Sequence, residues 1–118
     1  MTMTPARSSP FAAMARDPLH PDVIYRDERC FVVRDINPKA PVHLLIIPNM
    51  PINGLDYISP AMEATMGHLF VVAAEMARRE GVTISGYRLV VNNGEDAGQT
   101  IAWPHMHLLG GRSLGDMG

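Results

Sequence analysis

The run Val42-His43-Leu44-Leu45-Ile46-Ile47-Pro48 constrains this chain more than any other feature, because apolar residues occupy nearly every position. A strand with one wet face alternates between apolar and polar residues. A run without alternation marks a strand buried on both faces. The chain has 118 residues, enough for one compact domain, and its 47% apolar content supplies a core. His43 is the one polar side chain in that run.

The neighbouring segments read as follows. Val23 to Tyr25 and Cys30 to Arg34 form an opening hairpin around the polar turn Arg26-Asp27-Glu28-Arg29. Asp35 to Pro41 contains two prolines and is a fixed loop. Ser59-Pro60 starts a helix, with Ser as N-cap and Pro in the first turn, and Gly81 ends it after Glu80. Met62, Met66, Leu69, Phe70, Ala73, Met76 and Ala77 form its core stripe. Tyr87 to Asn92 and His105 to Leu109 are the last two strands, separated by a glycine-containing polar loop. Strands, one long helix, then strands again predict an α+β domain with a largely antiparallel sheet. Residues 1–18 show no periodicity and are read as a flexible tail, with the domain over 19–118.

A net charge of −2 without a Lys/Arg stripe argues against nucleic acid as a partner. No run is long enough to span a bilayer, so no membrane is expected. Cys30 is the only cysteine; no disulfide can form within the chain, and a reducing, cytoplasmic setting fits.

The chemistry concentrates at Trp103-Pro104-His105-Met106-His107. On a strand, His105 and His107 stand side by side while Met106 and Leu108 enter the core. Three readings of this pair stay open. The two imidazoles are satisfied structural histidines, or they join His43 as zinc ligands, or one is a nucleophile toward phosphorus. The upstream loop, with Asn92, Gly94, Gly98, Gln99 and Thr100, could hold phosphate oxygens beside the histidines. This favours the nucleophile.

Two segments carry a family resemblance. NNGEDAGQTIAWPHMHLLGGR, residues 92–112, resembles the signature of histidine triad (HIT) nucleotide-binding proteins, His-φ-His-φ-His-φ-φ after Gly-Gln-Ser/Thr. RDINPKAPVHLLIIP, residues 34–48, resembles that family's D-I-x-P-x-A-P-x-H-x-L-x-I-P pattern. The resemblance implies a HIT-like fold, with a mostly antiparallel five-stranded sheet, one long helix, and the sheet continued across a homodimer. It implies hydrolysis or transfer at the α-phosphate of purine nucleotides or nucleoside phosphoramidates, with no cofactor and no metal. Position by position, His105 matches the nucleophile and His107 the last triad histidine. Asp35 matches the ribose-binding carboxylate, and Ile36 flanks the base. Asn92, Gly98, Gln99 and Thr100 match phosphate-side contacts, Thr100 being assigned with the catalytic group, and His43 matches a fourth histidine. A nucleotide-binding protein without turnover is the alternative.

The first triad position is Trp103, whose indole donates one hydrogen bond and carries no transferable proton. Its backbone carbonyl is expected to orient His105, and its side chain to pack against His43 or the leaving-group side of the substrate. Pro104 lacks an N–H and must lie at a strand start, bulge or edge.

Overall fold

A computed structural model describes residues 3–117. Its five strands are β1 (Val23–Arg26), β2 (Cys30–Arg34), β3 (Val42–Pro48), β4 (Tyr87–Val91) and β5 (Met106–Gly110). They form one antiparallel sheet in the order β1-β2-β3-β5-β4. The unalternated run is therefore the central strand, and alternate residues of β2 and β3 feed different layers. Cys30, Val32, Leu44 and Ile46 pack on one face with Met106 and Leu108, under the long helix. Phe31, Val33, Leu45 and Ile47 pack on the other.

That helix, α2 (Glu63–Arg79), starts later than the Ser59-Pro60 signal suggests, because Pro60–Met62 first form a 3-10 turn and the Ser59 hydroxyl caps nothing. Its C-terminus turns through Gly81 at φ +73°, a conformation that favours glycine. Leu69, Val72, Ala73, Met76 and Ala77 are buried, but Phe70 is 58% exposed, which removes it from the expected core stripe. At 3.6 residues per turn, Phe70 has rotated about 100° past Leu69 and clears the sheet. It lies instead beside Val91 on the open edge of β4.

The N-terminal segment departs most from expectation. Of the residues read as a tail, Met1 and Thr2 lie outside the described residues, as does Gly118 of the predicted domain. From Thr4 onward the chain is anchored. Thr4 bridges Ile101 in parallel, with Thr4 N–H donating to the Thr100 carbonyl (2.7 Å) and Ala102 N–H to the Thr4 carbonyl (2.8 Å). A short helix, α1 (Pro10–Arg16), then covers the second face of the sheet, burying Phe11 and Ala12 against Phe31 and Leu45. The physical reason lies in β2 and β3: their second apolar face would otherwise meet water. Arg26 fixes the helix end, its guanidinium donating to the carbonyls of Met14 (2.5 Å), Asp17 (3.0 Å) and Ala15 (3.4 Å).

Candidate active site

The register of the sheet assembles the histidines. His43 on β3 pairs with Leu109 and Leu45 pairs with His107, so His43 and His107 are diagonal neighbours on the α1 face. His105 immediately precedes β5 and projects to the same face. Ring centroids lie 4.9 Å apart for His105 and His107, and 5.2 Å apart for His43 and His107. The alternation expected of this segment holds, since Met106 and Leu108 are fully buried on the opposite side.

Hydrogen bonding fixes each tautomer. The Lys39 N–H, 3.0 Å from His43 Nδ1, can only donate, so His43 carries its proton on Nε2. Nε2 lies 2.9 Å from His107 Nδ1 and donates to it, which leaves the His107 proton on Nε2, free to meet an anionic oxygen. The Trp103 carbonyl lies 2.8 Å from His105 Nδ1 and can only accept. His105 therefore holds its proton on Nδ1 and presents a bare Nε2 lone pair, the form a nucleophile needs. The expected contact between the Trp103 carbonyl and the His105 ring is present.

Burial pushes all three imidazole pKa values down. For His43 the nearby Asp35 carboxylate opposes the fall, and for His105 the bond to the Trp103 carbonyl opposes it. His107, with burial reinforced by His105 and His43, falls to about 4. The unfolded histidines take up protons near pH 6.5, roughly their free value, while the folded cluster refuses them until lower pH. This contribution to stability is complete above that free value and is lost as pH falls through the folded one. The urea midpoint is expected to be level above about pH 7 and to decline between about 6.5 and 5, before most carboxylates titrate. His107→Ala should flatten that decline; an unchanged slope would mean the cluster does not titrate as described.

A cavity of about 250 Å³ opens onto the histidines and is lined by Phe11, Met14, Asp35, Ile36, Thr100, His105 and His107, among others. Asp35 lies at its rim, with one carboxylate oxygen accepting the Asn37 N–H (2.8 Å) and the other 3.4 Å from His43 Nε2. Ile36 is almost fully exposed there. Of the loop residues, only Thr100 reaches this cavity. Gln99 is buried and closes its own loop, its Oε1 accepting the Gly94 N–H and its Nε2 donating to the Ile101 carbonyl, each at 2.8 Å. Gly98, in the left-handed region at φ +83°, lines an adjoining cavity with Gln99 and Thr100. Asn92 sits half-buried just past β4. The structure thus brings Asp35, Ile36, Thr100, His105 and His107 to one cavity with His43 behind them, and it directs the Gln99 side chain elsewhere.

Trp103 also sits elsewhere than expected. Its indole turns away from His43 into the second core layer, edge-on to Phe11 (6.3 Å) and Phe31 (6.5 Å). Its Nε1–H donates to the Pro48 carbonyl at 2.9 Å. A large apolar ring with a single donor finds more burial there than in a polar pocket. Sequence reading missed Phe11, which packs edge-on to His105 at 5.1 Å. The signal was present: Ser9-Pro10 repeats the Ser-Pro helix start of Ser59-Pro60, with Phe11, Met14 and Ala15 at helical spacing.

The chain is thus an antiparallel α+β domain that gathers three histidine rings at the start of its fifth strand. The HIT domain family pattern matches residues 18–114, and the chain belongs to that family. It is 41% identical to the purine nucleoside phosphoramidase of Escherichia coli K12, over 95% of this chain and 94% of that protein. Its fold is similar to that of a HIT family hydrolase from Legionella pneumophila (TM-score 0.82, 35% identity, covering 87% of this chain and 92% of the other). A histidine triad protein from Clostridium difficile is similar as well (TM-score 0.84, 30% identity, covering 92% and 94%). On this relationship the chain is a HIT-family hydrolase. No helix among the described residues is long and apolar enough to cross a membrane.

Proposed function

We propose that the protein hydrolyses purine nucleoside phosphoramidates and related nucleotides at the α-phosphate, through a nucleotidylated His105. The observation that carries this reading is the bare His105 Nε2, set by the Trp103 carbonyl and opening on a cavity that also holds a carboxylate and a second imidazole. Nε2 attacks phosphorus, the bond to the leaving group breaks, and that group takes up a proton from solvent in the open cavity. Water then attacks phosphorus and gives a proton to solvent, and the phosphorus–Nε2 bond breaks, releasing the nucleoside monophosphate and restoring the imidazole. His107 Nε2–H and Thr100 face the phosphoryl oxygens, Asp35 accepts from the ribose hydroxyls, and Ile36, Phe11 and Met14 supply an apolar slot for the base. Asn92, Gly98 and Gln99 act indirectly, by shaping the loop that presents Thr100. Trp103 acts through His105 as a positioning residue: its buried indole holds the backbone segment whose carbonyl sets the tautomer.

The test is release of adenosine monophosphate from adenosine 5′-phosphoramidate by the purified chain. Turnover supports the reading; tight nucleotide binding without turnover would establish a binding protein instead. We also propose a homodimer through β4, because this edge strand carries exposed Val91 beside exposed Phe70 of α2. A solution mass of one chain, by light scattering at micromolar concentration, would refute that. The lone buried cysteine fits a cytoplasmic setting.

A further inference from the structure

A second group of chemically capable side chains lies away from the histidine cavity, where the turn between β1 and β2 meets α2. Asp27, Cys30 and His68 each direct a ligand atom to one point, and the three atoms lie within 4.8 Å of one another. Cys30 is fully buried, while the side chains of His68 and Asp27 are 28% and 22% exposed, so the point is open to water on one side.

We propose that this cluster binds a divalent cation of the zinc class through a carboxylate oxygen of Asp27, the sulfur of Cys30 and Nε2 of His68. The donor set decides the class. A thiolate with an imidazole suits a borderline-soft ion, whereas magnesium and calcium take oxygen ligands. With metal–ligand bonds of about 2.0–2.3 Å, a tetrahedral site spaces its ligands about 3.3–3.7 Å apart. The sulfur needs to approach by at most about 1.5 Å, and the present 2.6 Å contact between His68 Nε2 and Asp27 Oδ2 needs to open by about 1 Å.

The surroundings already orient the ligands. Asp27 Oδ1 accepts the N–H groups of Arg29 (2.8 Å) and Cys30 (2.9 Å), and Oδ2 accepts the Tyr25 hydroxyl at 2.8 Å. Such outer contacts fix a carboxylate for coordination. The ligands come from the end of a tight turn, the first residue of a core strand and the middle of a long helix, all held by the fold. The carboxylate and the imidazole are already in hydrogen-bond contact, and the Cys30 sulfur beside them supplies the soft donor of the set. Water fills the fourth position from the exposed side. On binding, the thiol proton passes to solvent and the His68 ring proton resides on Nδ1, with no change of oxidation state. Bound metal would tie the β1–β2 turn to α2 and raise stability by mass action.

The experiment is titration of the chelator-treated full-length protein with cobalt(II), following thiolate-to-cobalt charge-transfer absorption in the near ultraviolet together with the melting temperature. Because the chain has one cysteine, that band can arise only at Cys30. A band saturating at one equivalent, with a rising melting temperature, is expected. Cys30→Ser should abolish the band. His68→Asn, at a partly exposed position, should weaken cobalt binding at least about 10-fold, with the metal-free melting temperature checking that the variant folds. His107→Ala should leave the band in place. Absence of a sulfur band overturns the proposal. So does cobalt binding that is lost in His107→Ala, which would place the ion at Asp35, His43 and His107, a set without sulfur.

Discussion

His105→Ala is expected to lose turnover of adenosine 5′-phosphoramidate by at least about 10³-fold, equivalent to about 4 kcal/mol of transition-state stabilisation. Nucleotide binding should change little. The cavity divides labour between binding and chemistry. Asp35, Ile36, Phe11 and Met14 line the part of the cavity that would hold the nucleoside, and Phe11, which touches the imidazole, is also held by Trp103. His105 gives up its ring contacts with Phe11 and His107 and its hydrogen bond to the Trp103 carbonyl, while the Phe11 ring stays buried against Trp103 and Phe31. The variant should therefore fold, and its melting temperature checks that before rates are compared. Rapid quenching of the wild-type reaction should reveal one nucleotide attached to the protein at His105. Equal turnover in the variant would remove the covalent route and leave direct attack by water, with the histidines serving only as hydrogen-bond donors.

The sequence disclosed the sheet because strand burial writes itself into side-chain order. Val42 to Pro48 lacks alternation since both faces of β3 are covered, and His105-x-His107 shares a face since the strand repeat is two. The histidine cluster was legible for the same reason, as was the Trp103 carbonyl, a backbone group indifferent to the side chain it carries. Two things were hidden. Residues 4–16 have few polar contacts of their own and gain structure only by covering Phe31, Leu45 and Ile47, so local pattern alone suggested a tail. Their Ser9-Pro10 start was informative but is followed by only about two turns of helix. Side-chain direction in loops was the other. Gln99 and Thr100 are adjacent, yet one folds back onto Gly94 and Ile101 while the other faces the histidines, a choice made by the glycine conformations at Gly94 and Gly98. Side-chain direction also governs the meeting of Asp27 and Cys30 with His68, which comes from a helix 38 residues beyond Cys30.

Trp103→Ala is expected to be the most destabilising single change in the chain, by about 3–5 kcal/mol for loss of a fully packed aromatic side chain. At about 4–8 °C per kcal/mol for a domain near this size, the melting temperature should fall by at least about 12 °C. That size of effect follows from position. The indole is 2% exposed, wedged between Phe31 of the sheet and Phe11 of α1, so its removal loosens the layer that closes the histidine cavity. Trp103→Phe separates packing from hydrogen bonding. The phenyl ring can keep both edge-on contacts, but the Pro48 carbonyl loses its 2.9 Å donor in a buried setting, which costs about 1–3 kcal/mol. With that anchor gone, residue 103 can shift its carbonyl relative to His105 Nδ1, and the population with a bare Nε2 falls. The Phe variant should then show a reduced kcat with a nearly unchanged KM, because the nucleoside contacts lie elsewhere. A variant that loses stability but keeps both constants would show that the indole serves the core alone and that the strand holds the carbonyl without it. Trp103→His would put a smaller, polar ring in the same apolar enclosure. It should lower stability without adding a proton donor to the cavity, since the native side chain points away from His43 and His107.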